Sequence, residues 1–528
     1  MSEFVLSEDI LNTIKGYTDG MKQIVSIVLN TGEHEKRTEL FEFLRSVSAS
    51  SDKIIFEERD LKGDARSPLT FVLEVEGDST GIYFSGIPSG HEFNSFILAL
   101  LQSGGVPIKL DDGIKKVIEN IEEKLSFEIF VSLSCHNCPE VVQAINQFAL
   151  LNSKITSEMV DGGLFQNIIN ERKIQGVPSV YLNGDLFANG RVELSSLIEK
   201  LKQYSNNRIS SDDNIPLQDV VIIGGGPAGI SSAIYAARKG FKVSLIAEKI
   251  GGQVKDTLGI ENLISVSSTT GPDLTQAMKS HMNDYNVTVK EHLSVVSLKD
   301  DLVKKIELSS GEIIKSRSII IATGANWREL GVPGEKENMG NGVAYCPHCD
   351  GPFFKGKDVA VVGGGNSGIE ASIDLSGIVK SVTVFEFLAE LKADQVLIDQ
   401  VKKRDNINII TNVDVQEILS SNGKVTGVQY RHRDTNEVQI EDLSGVFVQI
   451  GLVPNSNFLK GVIDLNQYGE IIVDDYCNTS ASGVFACGDV TTVPYKQIVI
   501  AMGEGSKAAI AAAEYLQKNS IEVISAAE

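Results

Sequence analysis

The sequence predicts an α/β protein built from several domains, and three observations support this prediction. The chain has 528 residues, which is too long for one core because domains usually span about 100–200 residues. The part before residue 205 contains two similar runs of alternating strand and helix patterns. Farther on, glycine-rich turns join a buried strand to a helix at two places. We therefore expect three to five domains.

Composition and charge narrow the class of protein. Hydrophobic residues make up 42% of the chain and charged residues 22%, and the net charge is −22. Such an acidic chain is a poor nucleic-acid partner, because phosphate binding needs a basic surface. No apolar run reaches the length of about 20 residues that a membrane-spanning helix needs. The acidic first nine residues lack a signal-peptide pattern, so we expect a cytoplasmic protein without membrane or nucleic-acid partners.

Four of the six cysteines form two Cys-x-x-Cys pairs, Cys135/Cys138 and Cys346/Cys349. In a reducing cytosol such pairs are metal ligands or redox centres. Half of a Cys₄ zinc site is the alternative, but one pair supplies only two of four ligands. The second pair lies between the two glycine-rich turns, which favours redox chemistry. We predict no bound metal.

The two N-terminal runs have the strand and helix order of the thioredoxin fold, and the tandem copy is an internal repeat. The first copy covers residues 1–110 and has no cysteine; the second covers 111–204 and carries Cys135 and Cys138. The first copy is predicted to contain strands 23–30, 53–58, 69–75 and 81–85 and helices 33–48 and 92–102. The second is predicted to contain strands 127–133, 154–160, 179–182 and 185–188 and helices 138–151, 163–172 and 192–203.

Cys135 follows a predicted strand and stands at the beginning of a predicted helix. The positive end of the helix dipole stabilises a thiolate there. Gly176-Val177-Pro178 resembles the cis-proline loop that packs against the disulfide of thioredoxin folds, so we predict a cis Pro178, with a trans proline in an ordinary turn as the alternative. His136 and His348 lie inside the pairs, and the sequence does not decide between thiolate tuning and simple spacing.

A polar, aperiodic segment over residues 205–215 is typical of a flexible linker. The buried strand after it feeds Gly224-x-Gly226-x-x-Gly229, which opens a helix. Such glycines let backbone N–H groups approach a pyrophosphate at the helix N-terminus. Glu248 ends the next strand about 20 residues on, where a carboxylate can hold a ribose.

The same pattern returns with Gly363, Gly365 and Gly368, followed by a predicted strand over 381–385 and Glu386. Two such sites suggest two different nucleotides. Glu386 would accept a hydrogen bond from the adenosine ribose and repel a 2′-phosphate, and residues 387–389 offer no arginine. NADH is therefore favoured over NADPH; the alternative is that Glu386 is only a charged strand end.

A set of motifs between about residues 216 and 520 resembles the two-dinucleotide-fold flavoprotein reductases, and among them the low-molecular-weight thioredoxin reductases. With the tandem N-terminus and Cys135-His136-Asn137-Cys138, the whole chain resembles the flavoprotein subunits of bacterial alkyl hydroperoxide reductases. The motifs are Gly224–Gly229, Gly251-Gly252-Gln253, Glu261-Asn262, Ala322-Thr323-Gly324, Cys346–Asp350, Gly363–Gly368, Gly451-Leu452-Val453-Pro454-Asn455 and Ala486-Cys487-Gly488-Asp489.

The resemblance implies tandem thioredoxin-like folds followed by two Rossmann-like dinucleotide-binding domains, the second inserted in the first. Residues 216–328 and 455–528 would form the FAD-binding domain, and 329–454 the NADH-binding domain carrying Cys346 and Cys349. The inserted domain would rotate so that the nicotinamide and the disulfide reach the flavin in turn. Gln253, Asn262 and Gln497 would lie near the flavin, and Gly488 and Asp489 on its ribityl or phosphate side.

The resemblance also implies an NADH-dependent disulfide reductase. Electrons would pass from NADH through FAD to Cys346/Cys349, with Cys349 next to the flavin and Asp350 managing the proton. They would move on to Cys135/Cys138 and to a peroxiredoxin subunit that reduces alkyl hydroperoxides and hydrogen peroxide. A homodimer is implied too. Glu92 would act as acid or base near Cys135/Cys138, or serve only as a helix-dipole partner.

Two other functions remain open from the sequence. One is an NADH oxidase that forms peroxide at the flavin, for which the tandem N-terminus would have no purpose. The other is a non-enzymatic thiol redox sensor or adaptor that keeps FAD as a structural group. Glu386 and the second glycine set weigh against the sensor.

Overall fold

The computed structural model describes residues 6–135, 137–174, 176–190, 192–205, 215–257, 259–339, 341–421 and 424–519, apart from the side chains of Asp256, His348 and Cys349. The chain divides into two compact units. The first contains residues 1–212 with the short segment 309–312, and the second contains the rest. Most of the predicted linker, like His136, lies outside the described residues.

The first unit is built on one sheet of eight strands. The first copy contributes β1 (Val25–Asn30), β2 (Ile54–Arg59), β3 (Thr70–Val75) and β4 (Asp78–Ser85), with α1 (Glu8–Thr18), α2 (Arg37–Ser48) and α3 (Glu92–Ser103). After α4 (Asp112–Glu119), the second contributes β5 (Leu125–Val131), β6 (Ile155–Asp161), β7 (Ser179–Leu182) and β8 (Asp185–Asn189), with α5 (Cys138–Leu151), α6 (Gln166–Glu171) and α7 (Leu194–Leu201).

The strand order β2-β1-β3-β4-β6-β5-β7-β8 makes the two copies one continuous sheet. The copies meet where β4 pairs with β6 in parallel, from Ile82 opposite Ser157 to Ser85 opposite Val160. Arg66 of the first copy also binds carboxylates of the second. Its Nη2 lies 2.8 Å from Glu158, and it contacts Glu128 as well. The two copies therefore form one body.

The second unit begins with a mostly parallel sheet in the order β11-β10-β9-β14-β13-β12, with β25 beside β14. Buried aliphatic runs form its central strands, as expected for a sheet covered on both faces. Its elements are β9 (Gln218–Ile223), α8 (Pro227–Arg238), β10 (Val243–Ala247), α9 (Gly271–Asn283), β11 (Val287–Glu291), β12 (Val295–Lys299), β13 (Lys304–Leu308), β14 (Ile313–Ile321), β25 (Val484–Ala486) and α13 (Ile498–Lys518).

A second parallel sheet, in the order β16-β23-β17-β18-β19, lies between these segments in the chain, and a three-stranded antiparallel sheet β20-β21-β22 accompanies it. A two-stranded ribbon of β15 (Ala325–Trp327) and β24 (Leu452–Pro454) forms where the chain passes in and out of this region. The remaining elements are β16 (Val343–Ala344), α10 (Pro347–Asp350), β17 (Asp358–Val362), α11 (Asn366–Ser376), β18 (Ser381–Glu386), α12 (Gln395–Val401), β19 (Ile407–Thr411), β20 (Val413–Ser421), β21 (Lys424–His432), β22 (Val438–Asp442) and β23 (Gly445–Val448).

The predicted α/β class is confirmed, and most predicted elements are present with boundaries shifted by a few residues. The helix predicted over 163–172 is only Gln166–Glu171, because the turn that follows Asp161 uses its carboxylate to accept the Gly163 N–H. Among the described helices, none is both long and apolar enough to cross a membrane.

Candidate active site

The Cys135/Cys138 pair lies at the start of α5, in the second copy of the first unit. Cys138 is the first helical residue and is fully buried, whereas Cys135 is half-buried. The Cys135 Sγ lies 3.8 Å from the carbonyl oxygen of Val177, and the Val177–Pro178 peptide is cis as predicted. Cys135 is therefore the more accessible sulfur of the pair.

The two sulfurs differ in chemical environment as well. Burial raises the pKa of the Cys138 thiol far above its usual range, and the neighbouring Cys135 and the charge of Glu92 add to the rise. A thiol of high pKa stays protonated and is a weak nucleophile. The pair thus combines an accessible sulfur with a buried thiol.

Glu92 is the first residue of α3 and is completely buried. Burial raises the pKa of its carboxyl group to about 7, against a smaller opposing effect of the Ser95 hydroxyl. Neither carboxyl oxygen has a partner at hydrogen-bond geometry within the described residues. A carboxyl group that titrates near neutral pH next to a buried thiol has the properties of a proton donor and acceptor.

The first glycine loop lies between β9 and α8 and leaves an open cradle. A Cβ on Gly224 would lie 2.0 Å from the Ala322 carbonyl oxygen, and one on Gly229 only 1.9 Å from that of Gly224. A Cβ on Gly226 would instead meet nothing within 4 Å. The helix N-terminus is therefore open at the position where a pyrophosphate binds, which fits FAD.

The other predicted FAD residues are contributed by four separate segments of the second unit. The Asn262 amide donates to the Gln497 side chain at 3.2 Å, directly before α13 begins. Gln253 donates to the carbonyl oxygen of Ala325 on the ribbon strand β15. Glu248 is exposed just after β10. Burial raises the pKa of Asp489, which follows Gly488 in a short 3₁₀ turn.

The second glycine loop has the same geometry between β17 and α11. A Cβ on Gly363 would lie 2.4 Å from the Gln449 carbonyl oxygen, and one on Gly368 would lie 1.9 Å from that of Gly363, whereas Gly365 is open. Glu386, at the end of β18, is buried and accepts the N–H groups of Gly364 and, at 2.8 Å, Leu388. These contacts fix the carboxylate beside the loop, where a nucleotide ribose would lie.

Cys346 is in a disulfide, and the side chains of Cys349 and His348 lie outside the described part of the chain. The Asp350 N–H donates to the Cys346 carbonyl oxygen at 3.0 Å. Burial raises the pKa of the Asp350 carboxyl group to about 6, although the Cys346 N–H opposes the rise. Asp350 is therefore a weak acid that is partly protonated near neutral pH.

Sequence reasoning did not find the support of Cys346. The preceding Tyr345 stacks on Trp327 of β15, with ring centroids 6.1 Å apart. Its hydroxyl donates to buried Glu335 at 2.9 Å, and Gln449 donates to its carbonyl oxygen at 2.7 Å. The single Trp of the chain thus joins the ribbon to the cysteine segment; its uniqueness was the one available signal.

Comparison with known proteins agrees with this geometry. Residues 218–505 match the pyridine nucleotide-disulphide oxidoreductase family, and residues 125–203 match a thioredoxin domain. The alkyl hydroperoxide reductase F protein of Escherichia coli K12 is 45% identical over 97% of this chain and 99% of its own. A protein of Ferdinandcohnia aciditolerans named NADH dehydrogenase is 45% identical, covering 99% of both chains.

A solved structure resembles the second part of the chain. Thioredoxin reductase of Streptococcus pyogenes is 35% identical with a TM-score of 0.55, and the match covers 57% of this chain and 99% of that one. The predicted enzyme class, a flavin-dependent oxidoreductase with FAD and a nicotinamide dinucleotide, is confirmed by these relationships. The chain belongs to the pyridine nucleotide-disulphide oxidoreductases and, over nearly its whole length, to the family of alkyl hydroperoxide reductase F proteins.

Proposed function

We propose that this chain is an NADH-dependent disulfide reductase, in which bound FAD carries electron pairs from NADH to the Cys346/Cys349 pair. The electrons then pass to Cys135/Cys138 and to a separate peroxiredoxin, which reduces alkyl hydroperoxides and hydrogen peroxide. The observation that carries this proposal is the asymmetric Cys135/Cys138 pair, accessible at one sulfur and buried at the other. The N-terminal unit has no comparable use in an NADH oxidase.

Thiol–disulfide exchange accounts for each transfer between sulfur pairs. The reduced Cys346 thiolate attacks the oxidised Cys135–Cys138 bond at Cys135, forming a mixed disulfide while Cys138 leaves. Cys349 then attacks Cys346, which restores the 346/349 disulfide and releases reduced Cys135. Cys135 attacks the partner's disulfide in turn, and Cys138 displaces the reduced partner. One NADH and one proton thus reduce one hydroperoxide to an alcohol and water.

Glu92 and Asp350 are the proposed proton-handling residues. Cys138 leaves poorly as a thiolate because its pKa is raised, and leaving groups of high pKa depart slowly. A carboxyl group with a pKa of about 7 can supply the proton and recover it when Cys138 attacks. Asp350, with a pKa of about 6, would serve the 346/349 pair in the same way.

The proposal includes a domain arrangement. Residues 329–454 would form an NADH-binding domain inserted in an FAD-binding domain of residues 216–328 and 455–528, and would rotate about the β15/β24 ribbon. Thr323 and Asn455 flank this ribbon and exchange two hydrogen bonds, at 2.8 and 2.9 Å. A crosslink that locks the two domains should stop turnover; unchanged turnover would refute the rotation.

We further propose a cytoplasmic homodimer, as the resemblance implies. Light scattering on the purified holoenzyme would measure its mass. A mass equal to one chain across micromolar concentrations would refute the homodimer.

Two cysteine variants test the order of transfer. Replacing Cys135 and Cys138 by Ser should leave NADH-dependent reduction of a small aromatic disulfide intact and abolish transfer to a peroxiredoxin. Cys346→Ser should abolish both reactions. If the Cys135/Cys138 variant lost both, or if Cys346→Ser retained peroxiredoxin reduction, the order would be wrong.

A further inference from the structure

An arginine that is distant in sequence lies at the end of β18. Arg433 follows β21, and its Nη1 donates to the Phe387 carbonyl oxygen at 2.9 Å. Its guanidinium group stacks on the Phe387 ring, with Cζ 3.8 Å from the centroid. Such a stack combines cation–π attraction with the planar contact that arginine makes well. The cation is therefore held one residue beyond Glu386.

The fold fixes this position through neighbouring backbone. Thr411, the last residue of β19, lies opposite Glu386 in the parallel sheet. The Asn412 N–H then donates to the Leu388 carbonyl oxygen at 2.8 Å, and the Arg433 N–H donates to the Asn412 carbonyl oxygen at 3.0 Å. The loop after β18 and the end of β21 are thus tied together by main-chain hydrogen bonds.

The strand end consequently presents two groups with opposite preferences. A carboxylate at this place in a Rossmann-like fold favours a free ribose 2′-hydroxyl, whereas a nearby arginine accommodates a 2′-phosphate. Both carboxylate oxygens of Glu386 are directed at backbone N–H groups. Arg433 is exposed, and Phe387 is still 51% exposed beneath it, so the stack remains open to a ligand.

We propose that Arg433 is a specificity residue of the nucleotide site, a latent anchor for a 2′-phosphate that Glu386 overrides. In this arrangement Glu386 alone excludes NADPH, and its removal exposes a site already equipped for the phosphate. The inference rests on the proposed binding of NADH at the second glycine loop.

The test measures binding rather than turnover, using the FAD-loaded holoenzyme. Calorimetry compares AMP with adenosine 2′,5′-bisphosphate, which differ only in the 2′-phosphate. Glu386→Gln should bind the bisphosphate at least about tenfold more tightly than wild type, as expected for a charge-assisted hydrogen bond replacing a repulsion. Adding Arg433→Gln should remove this gain, and adding Arg433→Lys should keep most of it.

Arg431→Gln in the Glu386→Gln background is the matched control. Arg431 lies on the same hairpin, but it pairs with Asp414 at 3.0 Å and should leave the gain unchanged. AMP affinity should vary by less than about twofold among these variants, because no 2′-phosphate is involved. If Glu386→Gln weakens AMP binding, Glu386→Ser replaces it.

Three results would overturn the inference. The first is no gain for the bisphosphate in either Glu386 variant, and the second is a gain that survives Arg433→Gln. The third is an equal loss of both probes on Arg433→Gln, which would mean that Arg433 only shapes the loop. Failure of the proposed function is separate: wild-type holoenzyme would then bind neither AMP nor NADH.

Discussion

Replacing Glu92 by Gln should stabilise the first unit at alkaline pH. Burial raises the pKa of this carboxyl group from its ordinary value of 4.5 to about 7. Below pH 4.5 the group is protonated in both the folded and the unfolded state, and burial carries no charge penalty. As the pH rises through 7, the folded state must ionise a buried group. At 1.36 kcal/mol per pKa unit, the penalty above pH 8 is about 3 kcal/mol.

Hydrogen exchange of the reduced holoenzyme, followed by mass spectrometry for peptides of β5 and α5, would measure this difference. Glu92→Gln should slow exchange by about a hundredfold relative to wild type at pH 8.5, and should have little effect near pH 4.5, after correction for intrinsic rates. Glu171→Gln, at an exposed site of α6, is the control and should change nothing. Equal exchange of wild type and Glu92→Gln at pH 8.5 would refute the reasoning.

Three further predictions concern the FAD loop, the first unit and the 346/349 pair. Gly229→Ala should yield protein without flavin absorbance, because its Cβ would lie 1.9 Å from a carbonyl oxygen, while Gly16→Ala should keep the flavin. Arg66→Met should lower the free energy of unfolding of the first unit by about 3–5 kcal/mol, because it leaves buried carboxylates unpaired; Arg59→Met, at a more exposed ion pair, should cost less than about 1 kcal/mol in the same exchange measurement. Stopped-flow reduction of the Cys346 disulfide should slow as the pH rises through about 6, where the Asp350 carboxyl group loses its proton, and Asp350→Asn should flatten this profile. A flavin-loaded Gly229→Ala, an unaltered Arg66→Met or a parallel Asp350→Asn profile would each contradict its prediction.

The elements around the cysteines could be predicted because local signals there agree. Helix α5 begins and ends at the predicted residues 138 and 151, with proline in its first turn and an apolar face throughout. Strand β7 is also as predicted. The glycine loops could be predicted because backbone contacts at Gly224 and Gly363 exclude every larger side chain.

What sequence reasoning missed depends on contacts distant in the chain. The sheet of β20, β21 and β22 has exposed, charged strands whose pattern gives little apolar signal. Arg433 reaches Phe387 across 46 residues through that sheet, so inspection of residues 387–389 alone could not reveal an arginine. The burial of Glu92 and its charge effect on Cys138 likewise follow from packing between two different copies of the fold.

The pairing of β4 with β6 gives the copy without cysteines a purpose of its own. Were β4 removed, β6 would become an outer strand with unpaired main-chain groups, the kind of border that recruits other chains. The first copy could thus lose its redox residues over evolution and still be retained as a seal. A shortened protein starting near residue 111 would, on this view, keep its thiol chemistry but tend to associate through the uncovered border.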